Sequence, residues 1–203
     1  MSNSQEKQEL HKHIVAAAKG DEVAWRFIVD AYSFRVFALI RSKCGNEELA
    51  EEITQSTFCT IAQKLPSYTE IGKFEPWLFR IAMNRLRDEM RRQKRHAVPM
   101  ENEMIGVLSS GISDVREDDE KQLHIRALRV AVRQLSSSDQ DIIYMRHSAG
   151  MSYKQIAEVL GEPLGTVLAR QHRALKKLRS IMDCEDYAQN RGDIGAIDCD
   201  EER

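Results

Sequence analysis

The sequence predicts an all-α fold of two small helical domains joined by a flexible acidic linker, the second domain containing a helix-turn-helix. Three observations predict it. Apolar residues recur at three- and four-residue spacing almost throughout, and strand-like alternation is scarce. Breakers are few, 10 Gly and 4 Pro in 203 residues, which leaves element interiors largely free of them. Periodicity fails over residues 96–121, where Gly106, Gly111, several serines and the run Glu117-Asp118-Asp119-Glu120 read as a tether. The expected divisions are a first domain at 9–95, a linker at 96–122, a second domain at 123–182 and an acidic tail at 183–203.

The elements follow in chain order. Residues 9–20 read as a short helix stopped by Gly20. Asp21 caps a second, whose Val23, Ala24, Phe27, Ile28, Ala31, Phe34, Val36 and Phe37 form a wide apolar face. Gly45 and Asn46 turn the chain into a third helix over 47–65, with Leu49, Ile53, Phe58, Ile61 and Leu65 apolar. Residues 66–72 are a loop, and a fourth helix covers 73–95. There, Phe74, Trp77, Leu78, Ile81 and Ala82 fit a buried stripe, while Arg80, Asn84, Arg87 and Arg91 occupy another face. Arg85, Arg92, Lys94 and Arg95 thicken its cationic end. Helical spacing assigns Phe74 and Trp77 to packing. Tyr68, in the loop, has no stripe to join and is the better candidate for stacking on a base. Beyond the linker, Leu123, Leu128, Val132 and Leu135 restore the period. Ser136 then opens a helix with Asp139 at its capping-box position and Ile142, Ile143 and Met145 facing inward.

Residues 151–179, MSYKQIAEVLGEPLGTVLARQHRALKKLR, carry the most information. Ser152 and Gln155 make a capping box, Gly161 suits a left-handed helix stop, and Pro163 pre-organises a new first turn. Leu164, Val167, Ala174, Leu175 and Leu178 point one way in the second helix, and Thr166, Arg170, Arg173 and Lys177 another. This is a helix-turn-helix whose second helix suits a DNA major groove, meeting phosphates and base edges.

Charge and composition point the same way. The net charge of −2 hides segregation: residues 99–120 and 183–203 each carry a local −6, leaving +10 on the remaining body. A basic body is drawn to polyanions, and the phosphate contribution dominates such binding. No apolar run is long enough for a transmembrane helix, and the polar start, MSNSQEKQELHKH, does not suit a signal peptide, so the expected compartment is the cytoplasm, without membrane insertion. Cys44, Cys59, Cys184 and Cys199 are widely spaced, with no metal-binding pattern, so neither a metal nor a cofactor is expected. Cys44 and Cys59 read as reduced thiols, and a pairing of Cys184 with Cys199 stays open. None of GxxxxGK[ST], HExxH and GxSxG occurs, which speaks against a nucleic-acid enzyme. A free-standing DNA-binding regulator is the other reading, but neither a dimer surface nor a sensor domain is legible.

The order and wording of these motifs resemble the extracytoplasmic-function (ECF) class of bacterial RNA polymerase sigma factors, within the sigma-70 family. Residues 22–95 look like sigma region 2 and residues 123–182 like region 4. Ala50-Glu51-Glu52-Ile53-Thr54-Gln55-Ser56-Thr57-Phe58 resembles the family's A-E-D-L-V-Q-E-V-F segment, with Ser56 where the family usually has an acid. Phe74 to Asn84 resembles F-x-x-W-L-x-x-I-A-x-N. Ile156 to Arg179 resembles I-A-E-I-L-G-V-P-V-G-T-V-K-S-R-L-x-R-A-R-x-x-L, with Leu168-Ala169 in place of Lys-Ser and Leu175 in place of a frequent Arg.

The resemblance implies a promoter-specificity subunit without catalysis of its own. It implies that Glu52 and Gln55 contact the clamp helices of core RNA polymerase. It places Thr166, Arg170, Arg173 and Lys177 on the −35 element of promoter DNA. It places Tyr68, Arg80, Asn84, Arg87 and Arg91 at the −10 element, Asn84 contacting a base where the residue pattern alone equally allows a helix-surface role. An anti-sigma factor is a further implied partner.

Overall fold

The computed structural model describes residues 3–69, 72–96 and 119–189, and every regular element among them is helical. Helix α1 runs Asn3–Ala18 and stops at Gly20, whose φ is 94°. It starts earlier than the expected residue 9, because Ser4 to Gln8 carry no apolar period that would reveal a helix.

Helix α2 spans Glu22–Cys44, and the Asp21 carboxylate accepts a 2.9 Å hydrogen bond from the Ala24 amide at its start. Its buried stripe is Ala24, Ile28, Tyr32, Val36, Leu39 and Ile40. The wide apolar face expected for this helix is thereby split. Val23 is 77% and Phe34 75% exposed. At 100° per residue only one arc can face the core, and the polar-tipped Tyr32 belongs to it while Phe34 does not.

Asn46 caps α3, Glu47–Lys64, by accepting from the Leu49 amide at 2.9 Å, and a short 3₁₀ turn, Leu65–Ser67, follows. Helix α4 is Phe74–His96, with Phe74, Leu78, Phe79, Ala82, Met83 and Leu86 at most 2% exposed. Phe74 belongs to the core and Trp77 packs against it, as their spacing predicts.

The remaining helices are α5 Asp119–Arg133, α6 Ser137–His147, α7 Tyr153–Leu160 and α8 Leu164–Gln189. The described residues group into two compact units. One combines those of 1–105 with 141–168, and the other those of 106–140 with those from 169 onward. In the first, Met145, Ala149, Met151 and Ile156 are fully buried in the same core as α2, α3 and α4. In the second, Ala131, Val132, Leu135, Gln171, Ala174 and Leu178 are buried, whereas Leu128, expected inward, is 46% exposed. Ser136 caps α6 as expected: its hydroxyl lies 3.2 Å from the Asp139 amide. Of the expected linker, residues 97–118 lie outside the described residues, while 119–122 already belong to α5. Of the expected tail, 190–203, including Cys199, lie outside them, while 183–189 continue α8. Among the described residues no helix is long and apolar enough to cross a membrane.

Candidate nucleic-acid interface

The α4 face is built from one amphipathic repeat. Burying Leu78, Ile81, Ala82 and Leu86 turns Arg80, Asn84, Arg87 and Arg91 outward, and all four are exposed. Arg87 reaches the Asn84 side-chain oxygen at 3.4 Å and Asp141 Oδ2 at 3.4 Å. Arg80 donates to the backbone carbonyl of Glu158. The thickening cations divide. Arg85 donates to the Thr60 hydroxyl at 2.5 Å, so it braces α3 against α4. Arg92 is held in a fork by Glu89, with bonds of 2.7 and 2.8 Å. That hydrogen bond and the charge of Glu89, with a smaller contribution from Glu52, raise the Arg92 pKa further above its ordinary value.

Tyr68 is not the isolated loop aromatic the sequence suggested. Its ring lies 4.5 Å from Trp77 and 5.8 Å from Phe74, and Phe74 in turn meets Tyr32 at 5.8 Å. The loop folds back onto the first turn of α4, so Tyr68 joins the stripe that helical spacing had confined to α4. The sequence missed this because periodicity does not register contacts between a loop and a neighbouring helix.

A second feature flanks α3. An open groove of about 790 Å³ between α2 and α3 is lined by Trp25, Phe34, Phe37, Phe58, Gln55 and Glu51, among others. Gln55 is exposed on its wall, one turn from Glu51. Glu52 is exposed but does not line the groove, and its charge is felt at Arg92 of α4. The two residues paired by the motif therefore serve different sides of α3. Of this aromatic lining Phe58 is core, as expected, and Phe37 packs against the core, whereas Phe34 was misread, since apolar type alone does not separate a buried Phe from an exposed one. Cys59 is an exposed free thiol on the same groove, and the free Cys44 thiol donates to the Asn46 carbonyl at 3.2 Å.

The helix-turn-helix has the predicted punctuation. The Ser152 amide donates to Gln155 Oε1 at 2.8 Å, and the Gln155 amide lies 3.3 Å from the Ser152 hydroxyl. Gly161 adopts φ 71°, and the Pro163 carbonyl accepts from the Thr166 and Val167 amides at 3.0 and 3.2 Å. Along α8 the buried positions are Val167, Gln171, Ala174 and Leu178. Leu164, the first residue of the helix, and Leu175, both expected inward, are 44% and 46% exposed, and Gln171 is buried in the stripe. Thr166, Arg173 and Lys177 are exposed and Arg170 is half-buried. Arg173 Nε lies 3.4 Å from the Ala169 carbonyl, and Lys177 Nζ 3.3 Å from the Gln134 carbonyl. Among the described residues no group of three or more His, Cys, Asp or Glu is placed to hold a metal ion.

Two family patterns match the chain, Sigma-70 region 2 over residues 28–96 and Sigma-70 region 4 over residues 131–180. The ECF RNA polymerase sigma factor SigE of Mycolicibacterium smegmatis is 30% identical over 171 residues, which cover 81% of this chain and 65% of SigE. The ECF RNA polymerase sigma factor SigW of Bacillus subtilis is 29% identical over 177 residues, covering 84% of this chain and 95% of SigW. Among solved structures, CnrH in complex with the cytosolic domain of CnrY shares the fold with a TM-score of 0.64 at 23% identity, covering 85% of this chain and 96% of CnrH.

Proposed function

We propose a division of labour for this chain, which belongs to the ECF class of sigma-70 RNA polymerase sigma factors and directs core polymerase to promoters. The exposed face of α8 reads the −35 element: Arg170 and Arg173 meet base edges or phosphates in the major groove, with Thr166 and Lys177 flanking them. The α4 face opens the −10 element. Arg80, Arg87 and Arg91 hold phosphates, Asn84 offers an amide to an unstacked base, and Tyr68, with Trp77, supplies an aromatic wall. Gln55 docks core polymerase at the α2–α3 groove, with Glu51 and Phe34 beside it and Glu52 at the margin. The same exposed apolar groove suits an anti-sigma factor, a partner that would compete with polymerase. The chain acts in the cytoplasm as an initiation factor and carries no catalysis itself.

The observation that carries this reading is the match to region 2 and region 4 in the same order along one chain, each ending in a cationic helix. The discriminating experiment is a pull-down of core polymerase by the chain in the absence of DNA. Retention of core polymerase is expected. A chain that binds promoter DNA but leaves core polymerase in the flow-through would instead be a free-standing regulator.

A further inference from the structure

We infer that Leu168, with the small Ala169 beside it, is a specificity-determining residue that recognises the 5-methyl group of thymine in the upstream promoter element. This inference rests on the reading of α8 as the −35 helix. The thymine methyl is the one apolar group that base pairs display in the major groove, and it distinguishes thymine from every other base there.

Helical geometry turns both residues outward. At about 100° per residue, the buried Val167, Gln171, Ala174 and Leu178 fall within an arc of about 60°. Opposite them stand Ala169, His172 and Lys176, all exposed. Leu168 and Arg173 rise on the two flanks of that outward ridge, about 140° apart around the axis. Leu168 is 43% exposed. It is the fifth residue of α8 and Ala169 the sixth, in the N-terminal half of a recognition helix, which meets base edges. Arg173 Nε lies 3.4 Å from the Ala169 carbonyl, so the cation lies back along the turn that carries Ala169. Leu164 and Leu175 prolong the flank of Leu168, but Leu168 stands nearest the outward ridge.

The chemistry of the two side chains selects the ligand. Neither carries a hydrogen-bonding group, although the family pattern has Lys-Ser at these positions. Pressed against a phosphate, or against the donor and acceptor edge of a base, a leucine side chain strips water and returns no hydrogen bond. Pressed against a thymine methyl, it removes apolar surface from water on both partners. The short Ala169 side chain on the ridge lets the helix come close enough for that contact, while Arg173 supplies the polar contact from the other flank. The methyl contact also differs from phosphate contacts in its response to salt. Phosphate contacts weaken as salt rises because they release counterions, whereas a contact between leucine and a methyl group releases none.

The test uses the full chain with core polymerase on a promoter mapped by run-off transcription. Each thymine of the upstream element is replaced in turn by deoxyuridine, which removes the methyl and keeps every hydrogen-bonding group. At one or more positions the natural chain is expected to bind about fourfold more weakly, as for the loss of one buried carbon group. That ratio should hold across a salt series while the absolute affinity falls. Leu168→Ala, at an exposed position and with melting checked, should bind the thymine promoter more weakly and should no longer separate thymine from uracil there. An upstream element without thymine on either strand, deoxyuridine neutral at every position, or an undiminished thymine preference in Leu168→Ala would overturn the methyl contact. So would a Leu168→Ala chain whose only loss is affinity for core polymerase in the absence of DNA, which would make this flank a protein contact. Footprinting separates the underlying reading. Upstream protection lost in Arg173→Ala, with thymine and uracil equal in the natural chain, sinks the methyl contact alone. Protection retained in Arg173→Ala, in Leu168→Ala and in their combination removes α8 from the −35 element.

Discussion

Phe34 provides a sharp test of the polymerase-docking groove, because it is 75% exposed on a helix whose neighbouring residues carry the fold. Burying a phenylalanine side chain completely yields about 1.5–3 kcal/mol. With a quarter of it already covered, burial against a partner adds up to about 2 kcal/mol. Phe34→Ala is therefore expected to weaken binding to core polymerase by up to about thirtyfold, since 1.4 kcal/mol corresponds to tenfold. Its effect on folding should stay within about 0.5 kcal/mol, as for other surface substitutions. Ile28→Ala, earlier on α2 and fully buried, should cost about 2–5 kcal/mol of stability instead. The assay is titration of labelled chain with core polymerase by fluorescence anisotropy, alongside thermal melting. A dissociation constant unchanged in Phe34→Ala, with the melting temperature also unchanged, would refute the docking surface.

Three further outcomes are expected. Gln171 is 5% exposed, and its Oε1 has no hydrogen-bond partner among the described residues, so Gln171→Leu should stabilise the second unit by about 1 kcal/mol, read as a rise in melting temperature; a fall would mean the amide is satisfied. Gly161 has φ 71°, and a Cβ added there would meet no atom within 4 Å, so Gly161→Ala should cost about 1–2 kcal/mol from backbone conformation alone, and a neutral result in denaturant titration would show that the turn relaxes freely. Arg173→Ala should weaken −35 binding by about 1–3 kcal/mol if it reads a base edge, or weaken all sequences alike with a shallower salt dependence if it meets phosphate; core polymerase binding should be untouched in either case, and promoter binding unaltered across the salt series would take Arg173 off the DNA.

The helices and their punctuation were legible because each depends on local chemistry. Asp21, Asn46, Ser136 and Ser152 cap where their side-chain oxygens meet nearby amides, and Gly45 and Gly161 stop helices in the left-handed region. The exposed cations of α4 and α8 were likewise placed by helical spacing. What the sequence hid was tertiary. Whether Phe34 or Tyr32 faces the core is decided by the partner helix, not by residue type, and the same holds for Leu175 against Gln171 on α8. Tyr68 joins Trp77 through a loop that carries no period. Glu51, rather than Glu52, shares the groove with Gln55, a difference of one residue that a family pattern does not resolve. The ties of Asp141 to Lys43 and Arg87 span 98 and 54 positions of sequence, a range over which charge patterning carries no information.

The central claim, that the chain gives core polymerase its promoter specificity, is tested most directly by run-off transcription with core polymerase on a genomic library, followed by mapping of the start sites. Transcripts are expected only when the chain is added, each start preceded by a shared pair of elements at a constant separation. Changes at Arg170 and Arg173 should alter use of the upstream element, and changes at Asn84 and Arg91 use of the downstream one. Start sites that are the same with and without the chain, or that share no upstream elements, would contradict the claim.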